Sequence, residues 1–164
     1  MQLKHKITPF IWYDDDALGA AEFYVSCFDD SAIVEVMDGP TGTPLTVTFR
    51  LAGQEFIALN GGTYCQLDES FSMFVLCDDQ AEVDRLWTKL TSNGGSAIQC
   101  GWLKDRWGLR WQVVPRRLGE LLSDPDRDRA GRAHYAACQT SKPDIAAIEA
   151  AADDPSGPAW ATPD

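Results

Sequence analysis

The sequence has no run approaching the roughly 18 consecutive apolar residues that a membrane-spanning helix requires, so a bilayer-crossing segment is not expected. Histidine is nearly absent, with only His5 and His134, and no Cys-x-x-Cys pair occurs. The five cysteines, Cys27, Cys65, Cys77, Cys100 and Cys138, are odd in number and scattered, which argues against a disulfide framework or a zinc knuckle. Met1 to Lys6 lead into a strand-like run without the apolar core or small-residue cleavage site of a secretory leader, so the cytoplasm is the expected location. Basic residues are scarce: 14 Lys and Arg stand against 25 Asp and Glu, for a net charge of −11. That field opposes attraction to phosphate backbones and anionic lipid, so nucleic acid and membrane are not expected partners. A neutral or cationic small molecule is compatible with it.

What is present is an ordinary globular composition, 45% hydrophobic and 24% charged, over 164 residues. This is enough chain for one domain or two very small ones. Ile7 to Tyr13 reads as a strand, and Asp14, Asp15 and Asp16 supply N-cap chemistry for a helix. The apolar face of that helix is Ala17, Ala21, Tyr24, Val25 and Phe28. Strands are then expected over Ile33 to Met37, Leu45 to Leu51 and Glu55 to Asn60. The order begins again with a strand at Phe71 to Cys77 and an Asp79/Glu82 capping box ahead of a Val83, Leu86, Trp87, Leu90 stripe. Further strands are expected over Ala97 to Leu103 and Leu109 to Val114.

The two passages align at a fixed offset that pairs Thr8 with Ser72, Phe10 with Phe74, Asp14-Asp15 with Asp78-Asp79 and Phe23 with Trp87. The predicted fold is therefore α+β: two β-α-β-β-β modules, over 7–62 and 70–115. Residues 116–164 read as a C-terminal helical extension and tail rather than a separate domain. Its first helix is expected to be capped at Asp124-Pro125, and a second to run from about Pro143 to Ala152.

Several segments carry a family resemblance: Ile7-Thr8-Pro9-Phe10-Ile11-Trp12-Tyr13, Ala20-Ala21-Glu22-Phe23-Tyr24, Leu59-Asn60-Gly61-Gly62, Asp78-Asp79-Gln80-Ala81-Glu82-Val83-Asp84 and Cys100-Gly101-Trp102-Leu103-Lys104-Asp105-Arg106-Trp107-Gly108-Leu109-Arg110-Trp111-Gln112. They resemble the PhnB-like family of the glyoxalase/bleomycin-resistance/dioxygenase (vicinal oxygen chelate) superfamily, over about residues 6 to 150. The resemblance implies that paired β-α-β-β-β modules form a curved mixed sheet around a cleft, usually in a homodimer. The family often carries a 3-demethylubiquinone-9 3-methyltransferase label, yet no glycine-rich strand-to-helix loop for a nucleoside cofactor follows any strand. No cofactor is expected.

Metal enzymes of the superfamily place His or Glu on four strands. By resemblance those positions fall at Thr8 or Pro9, Ala58 or Asn60, Ser72 and Gln112, none a strong ligand, so no metal is expected. The resemblance also points Asn60 and Gln112 into the cavity, where side chains that both donate and accept hydrogen bonds suit a neutral ligand. The expected ligand-binding set is Trp12, Asn60, Ser72, Trp102, Trp107 and Gln112, with tryptophan offering flat area for a planar or cationic molecule. Strand aromatics commonly form core instead, and the amides can serve structural hydrogen bonds. For chemistry, Cys100 is a candidate nucleophile, and Lys104 with Asp105 a candidate acid/base pair whose plainer reading is a solvated ion pair. Two functions follow: a metal-free small-molecule-binding protein, or a lyase, isomerase or other enzyme of the superfamily with a metal or acid/base site elsewhere.

Overall fold

The computed structural model describes residues 5–158. The chain divides into two compact units, the first ending at Leu67 and the second running from Asp68. The first contains β1 (Phe10–Tyr13), α1 (Ala17–Val25), β2 (Ala32–Asp38), β3 (Pro44–Leu51) and β4 (Gln54–Asn60). The second repeats that order with β5 (Ser72–Cys77), α2 (Gln80–Leu90), β6 (Ser96–Ala97), β7 (Trp102–Lys104) and β8 (Arg110–Pro115). It continues into α3 (Arg116–Leu122), α4 (Arg127–Gln139) and α5 (Ile145–Asp153).

The duplication predicted from the offset is realised strand for strand. The sheets run β1-β4-β3-β2 and β5-β8-β7-β6. In each the first strand lies parallel to the last, and the remaining pairings are antiparallel. The fold is thus mixed α+β, with two open four-stranded sheets.

Carboxylates start both module helices. Asp16 accepts from the Gly19 amide at 3.2 Å. Asp79 accepts from Glu82 N at 2.8 Å while the Glu82 carboxylate accepts from Asp78 N at 2.8 Å, a reciprocal cap displaced by one residue from the simple box. Each helix covers one face of its own sheet. Ala17, Ala20, Ala21 and Tyr24 are buried with Val47, Phe49 and Ala58; Val83, Leu86 and Leu90 are buried with Leu103, Trp111 and Val113. Each such large side chain contributes about 1.5–3 kcal/mol on burial.

Three expectations are corrected. Ala97 to Leu103 is two strands, because Cys100 and Gly101 take φ of 63° and 78° and reverse the chain, with Ile98 N donating to Trp102 O at 2.8 Å. The extension starts with an extra helix, α3, directly after β8, and the cap of the following helix is Asp126. Asp124 is engaged by Asp126 N and the Arg129 guanidinium, and its carboxyl is held below the usual range chiefly by that arginine. The first strand begins at Phe10 rather than Ile7.

Leu121, Ala133, Ala137, Ile148 and Ala152 form a core of their own among α3, α4 and α5. The Gln80 side chain joins this extension to α2: its amide donates to Pro143 O at 3.1 Å and its oxygen accepts from Ile145 N at 2.9 Å. No helix among the described residues is long and apolar enough to cross a membrane.

Candidate functional site

Strand periodicity sorts the candidate residues by face, because successive side chains point to opposite sides of a sheet. On the second sheet Trp111 and Val113 turn toward α2 and are buried, at 1% and 0% exposure. Gln112, between them, lies on the opposite face. Register then places Phe74 and Trp102 on either side of Gln112, and Ser72 and Lys104 on either side of Arg110. The uncovered face therefore gathers Ser72, Phe74, Trp102, Lys104, Arg110 and Gln112.

Gln112 Nε2 donates to Ser72 Oγ at 2.8 Å, which fixes the amide and leaves its oxygen as an acceptor. Phe74 is 58% exposed, a large aromatic surface beside that amide. Arg110 Nε donates to Glu69 at 2.9 Å and Nη1 to Gly108 O at 2.6 Å, so its guanidinium is held along the strand end. The same ion pair holds the Glu69 carboxyl below its ordinary value.

The other predicted residues go elsewhere. Lys104 and Asp105 are neighbours in sequence but diverge. Asp105 is 1% exposed, and its carboxylate accepts from Trp107 N at 2.9 Å, Leu109 N at 3.0 Å and Trp111 Nε1 at 2.8 Å. It organises the β7–β8 turn and the Trp111 indole, and is not a solvated partner of Lys104. Trp107 lies in that turn, its ring under the Arg106 guanidinium at 3.9 Å. Cys100 sits in the β6–β7 turn, and burial followed by the hydrogen bond with Cys138 pushes its thiol up to about 12, which leaves almost no thiolate at neutral pH.

In the first unit, Trp12 occupies the face of β1 opposite α1. Its Nε1 donates to Gly62 O at 2.7 Å, and its ring lies 6.3 Å from that of Tyr64. Gly61 is needed for this approach, since a Cβ there would fall 2.2 Å from the Trp12 ring. Asn60 pairs with Tyr13 on the side that α1 covers. Its Oδ1 accepts from Ala17 N at 2.6 Å and its Nδ2 donates to Pro44 O at 2.9 Å, so both ends of the amide secure the fold. It also borders a cavity of about 560 Å³ beside Asp14, Asp15 and Asp16. Ala58 shares this covered side, at 0% exposure. The β4 residues on the face opposite α1 are Ile57 and Leu59, one register from the positions expected by resemblance, and Ile57 is itself buried.

Sequence reasoning missed Arg110, which lies opposite Lys104 in strand register. Alternation across Arg110 to Pro115 carried that signal, once Trp111 and Val113 were assigned to the core. Ser72 and Gln112 present a hydroxyl and an amide that already bond each other, and β4 presents only Ile57 and Leu59. Among the described residues no group of three or more His, Cys, Asp or Glu is arranged to hold a metal ion. This donor set does not fit a divalent cation.

Paired β-α-β-β-β modules, each with its first strand parallel to its last, define a fold of the glyoxalase/bleomycin-resistance type. The 3-demethylubiquinone-9 3-methyltransferase family model matches residues 5–114. The chain belongs to that family. A solved PhnB protein of Bacillus cereus, which carries the same methyltransferase label, is 29% identical with a TM-score of 0.63, covering 68% of this chain and 99% of that one. A Pseudomonas aeruginosa protein is 18% identical, TM-score 0.56, over 68% and 98% of the two chains. A glyoxalase-like protein of Bacillus cereus is 12% identical, TM-score 0.50, over 68% and 99%. The last two likenesses concern the fold alone. No curated protein matches the chain.

Proposed function

We propose that the protein binds a small organic molecule with a planar part and a neutral polar edge, without a metal, on the uncovered face of the β5-β8-β7-β6 sheet. The reading is carried by one observation: the Gln112 amide, fixed by Ser72, lies between Phe74 and Trp102 in adjacent strands. Aromatic side chains supply stacking area, and an oriented amide supplies direction. Trp12, with its indole N–H tied to Gly62 O, offers a second flat surface in the first unit.

Methyl transfer, the activity in the family description, is not the one proposed. In nucleotide-binding α/β folds the cofactor is held by a close backbone approach at a strand-to-helix loop. Here those loops are Asp14-Asp15-Asp16 and Asp78-Asp79, with Asp16 and Asp79 occupying the helix amides that a ligand would use. An acid/base enzyme using Lys104 and Asp105 is disfavoured, since the Asp105 carboxylate is enclosed by three donors. The reading treats 116–164 as an extension of a duplicated domain, and the protein as a homodimer. Exposed Val34, Val36 and Met37 on the edge strand β2 favour a second copy.

The test is tryptophan-fluorescence titration with planar heteroaromatic amides and their cationic N-methyl analogues, on wild type, Trp102→Ala and Gln112→Ala. A binder should lose about tenfold or more in affinity with Gln112→Ala, as expected for an orienting hydrogen bond, at unchanged Tm. Unfolding of Gln112→Ala would assign that amide to the fold, and equal affinity in all three proteins would move the site off this face. Near-stoichiometric retention of one metal after dialysis against zinc, nickel, manganese and iron would overturn the metal-free part.

A further inference from the structure

We propose that Cys100 and Cys138 form a reversible redox modification site, closing to an intrachain disulfide that pins the β6–β7 turn to the C-terminal end of α4. The residues are 38 apart in sequence, and Cys138 lies outside the part of the chain that matches the family model. Their sulfurs nevertheless stand 2.8 Å apart. They need to close only to the ~2.05 Å of a disulfide.

The backbone already holds the geometry. Cys100 N donates to Thr140 O at 2.8 Å and Gly101 N to Ser141 O at 2.9 Å, so the turn is laced to the segment following Cys138. Cys100 adopts a left-handed conformation uncommon for a residue with a side chain. Gly101 beside it has no room for one, since a Cβ would lie 2.9 Å from Val113 O. The turn therefore cannot swing away easily, and the sulfur is presented to one partner. Cys100 is exposed as a residue although its thiol is partly desolvated against Cys138, and Cys138 is half-buried, so the pair lies at the surface, whereas Cys27 and Cys77 are buried.

The oxidant class is a low-molecular-weight disulfide such as oxidised glutathione. The Cys138 thiol, whose sulfur lies 3.8 Å from His134 Nε2, gives up its proton, and the sulfur attacks the glutathione disulfide. One glutathione leaves as a thiol. The Cys100 sulfur then loses its proton, attacks the Cys138 sulfur of the mixed disulfide and displaces the second glutathione. Two thiols of the chain lose two protons and two electrons, and one glutathione disulfide becomes two glutathione thiols. This second step is intramolecular, so the proximity of the Cys100 sulfur to Cys138 offsets the small thiolate fraction that its raised pKa leaves.

The experiment uses the full chain carrying Cys65→Ser, which removes the exposed cysteine outside the pair. After incubation in oxidised glutathione, intact mass should fall by two hydrogens per chain. Peptide mapping should find Cys100 joined to Cys138, and Tm should rise by several degrees and return with dithiothreitol. Adding Cys138→Ser should abolish the internal link and the thermal shift. Both thiols remaining open to iodoacetamide, linkage through Cys27 or Cys77, or an unchanged thermal shift in the Cys138→Ser protein would each overturn the proposal.

Discussion

Asp105 offers the sharpest test of how this chain is held together. Its carboxylate is 1% exposed and receives three donors, two turn amides and the Trp111 indole N–H. Leu109 and Trp111 are themselves 1% exposed, so their donors cannot recover water when the acceptor is removed. Each buried donor left unmade costs about 1–3 kcal/mol. Trp107 is half-buried, and its amide regains part of its hydration. Asp105→Ala should therefore cost about 3–5 kcal/mol in urea unfolding and lower Tm by about 6–20 °C. Asp105→Asn keeps one oxygen for the turn amides but turns an NH₂ toward the indole N–H, donor against donor, and should cost about half as much. Combining Asp105→Asn with Trp111→Phe removes that conflict, so the double variant should be less destabilised than the two single losses added together. A loss below about 0.5 kcal/mol for Asp105→Ala, at unchanged urea slope, would refute the account, because surface substitutions behave that way. Additivity in the double variant would refute the part assigned to the indole.

Two further outcomes are expected. Gly61→Ala should displace the Trp12 ring, break its bond to Gly62 O and cost about 1–3 kcal/mol, read as a shift in tryptophan emission together with lowered stability; an unchanged emission spectrum would mean that the ring does not rest on that glycine. The Lys142 ammonium, followed by the Gln80 amide, holds the Asp84 carboxyl below its ordinary 3.8, so this pairing adds stability that is complete above about pH 4 and is lost as pH falls through the folded value. The stability difference between wild type and Lys142→Gln should accordingly be present at neutral pH and vanish in acid, and a difference that grows on acidification would contradict the pairing.

The architecture was legible where local chemistry and periodicity agreed. Asp14 to Asp16 and Asp78-Asp79 mark both helix starts, and the matched offsets reveal the repeat before any strand pairing is known. Faces were legible only where one side of a strand is distinctly polar. Arg110 to Pro115 alternates clearly enough to separate Gln112 from Trp111. Phe56 to Leu59 is apolar on both faces, so resemblance set Ala58 and Asn60 where the backbone sets Ile57 and Leu59. Asp105 looked like a surface charge because it adjoins Lys104 and a glycine turn, and its burial depends on an indole six residues on. The turn at Cys100 was hidden because that residue, not only the glycine after it, adopts positive φ. Nothing local links Cys100 to Cys138.

The pairing of β1 with β4 also sets an order of events as the chain is made. Phe10 must find Ile57, whereas the β3–β4 hairpin closes across the two residues Ala52 and Gly53. At roughly 5–20 residues per second, the first strand is completed several seconds before its neighbour exists. During that interval Ile11 and Tyr13, both buried in the finished sheet, have no strand to lie against. The hairpin can assemble at once and present β4 as a template, so β1 joins last although it is synthesised first. The second module repeats the delay with Ser72 awaiting Arg110. Each half of the molecule is thus finished by the return of its earliest strand, and a nascent chain halted before β4 would carry an apolar strand with nowhere to dock.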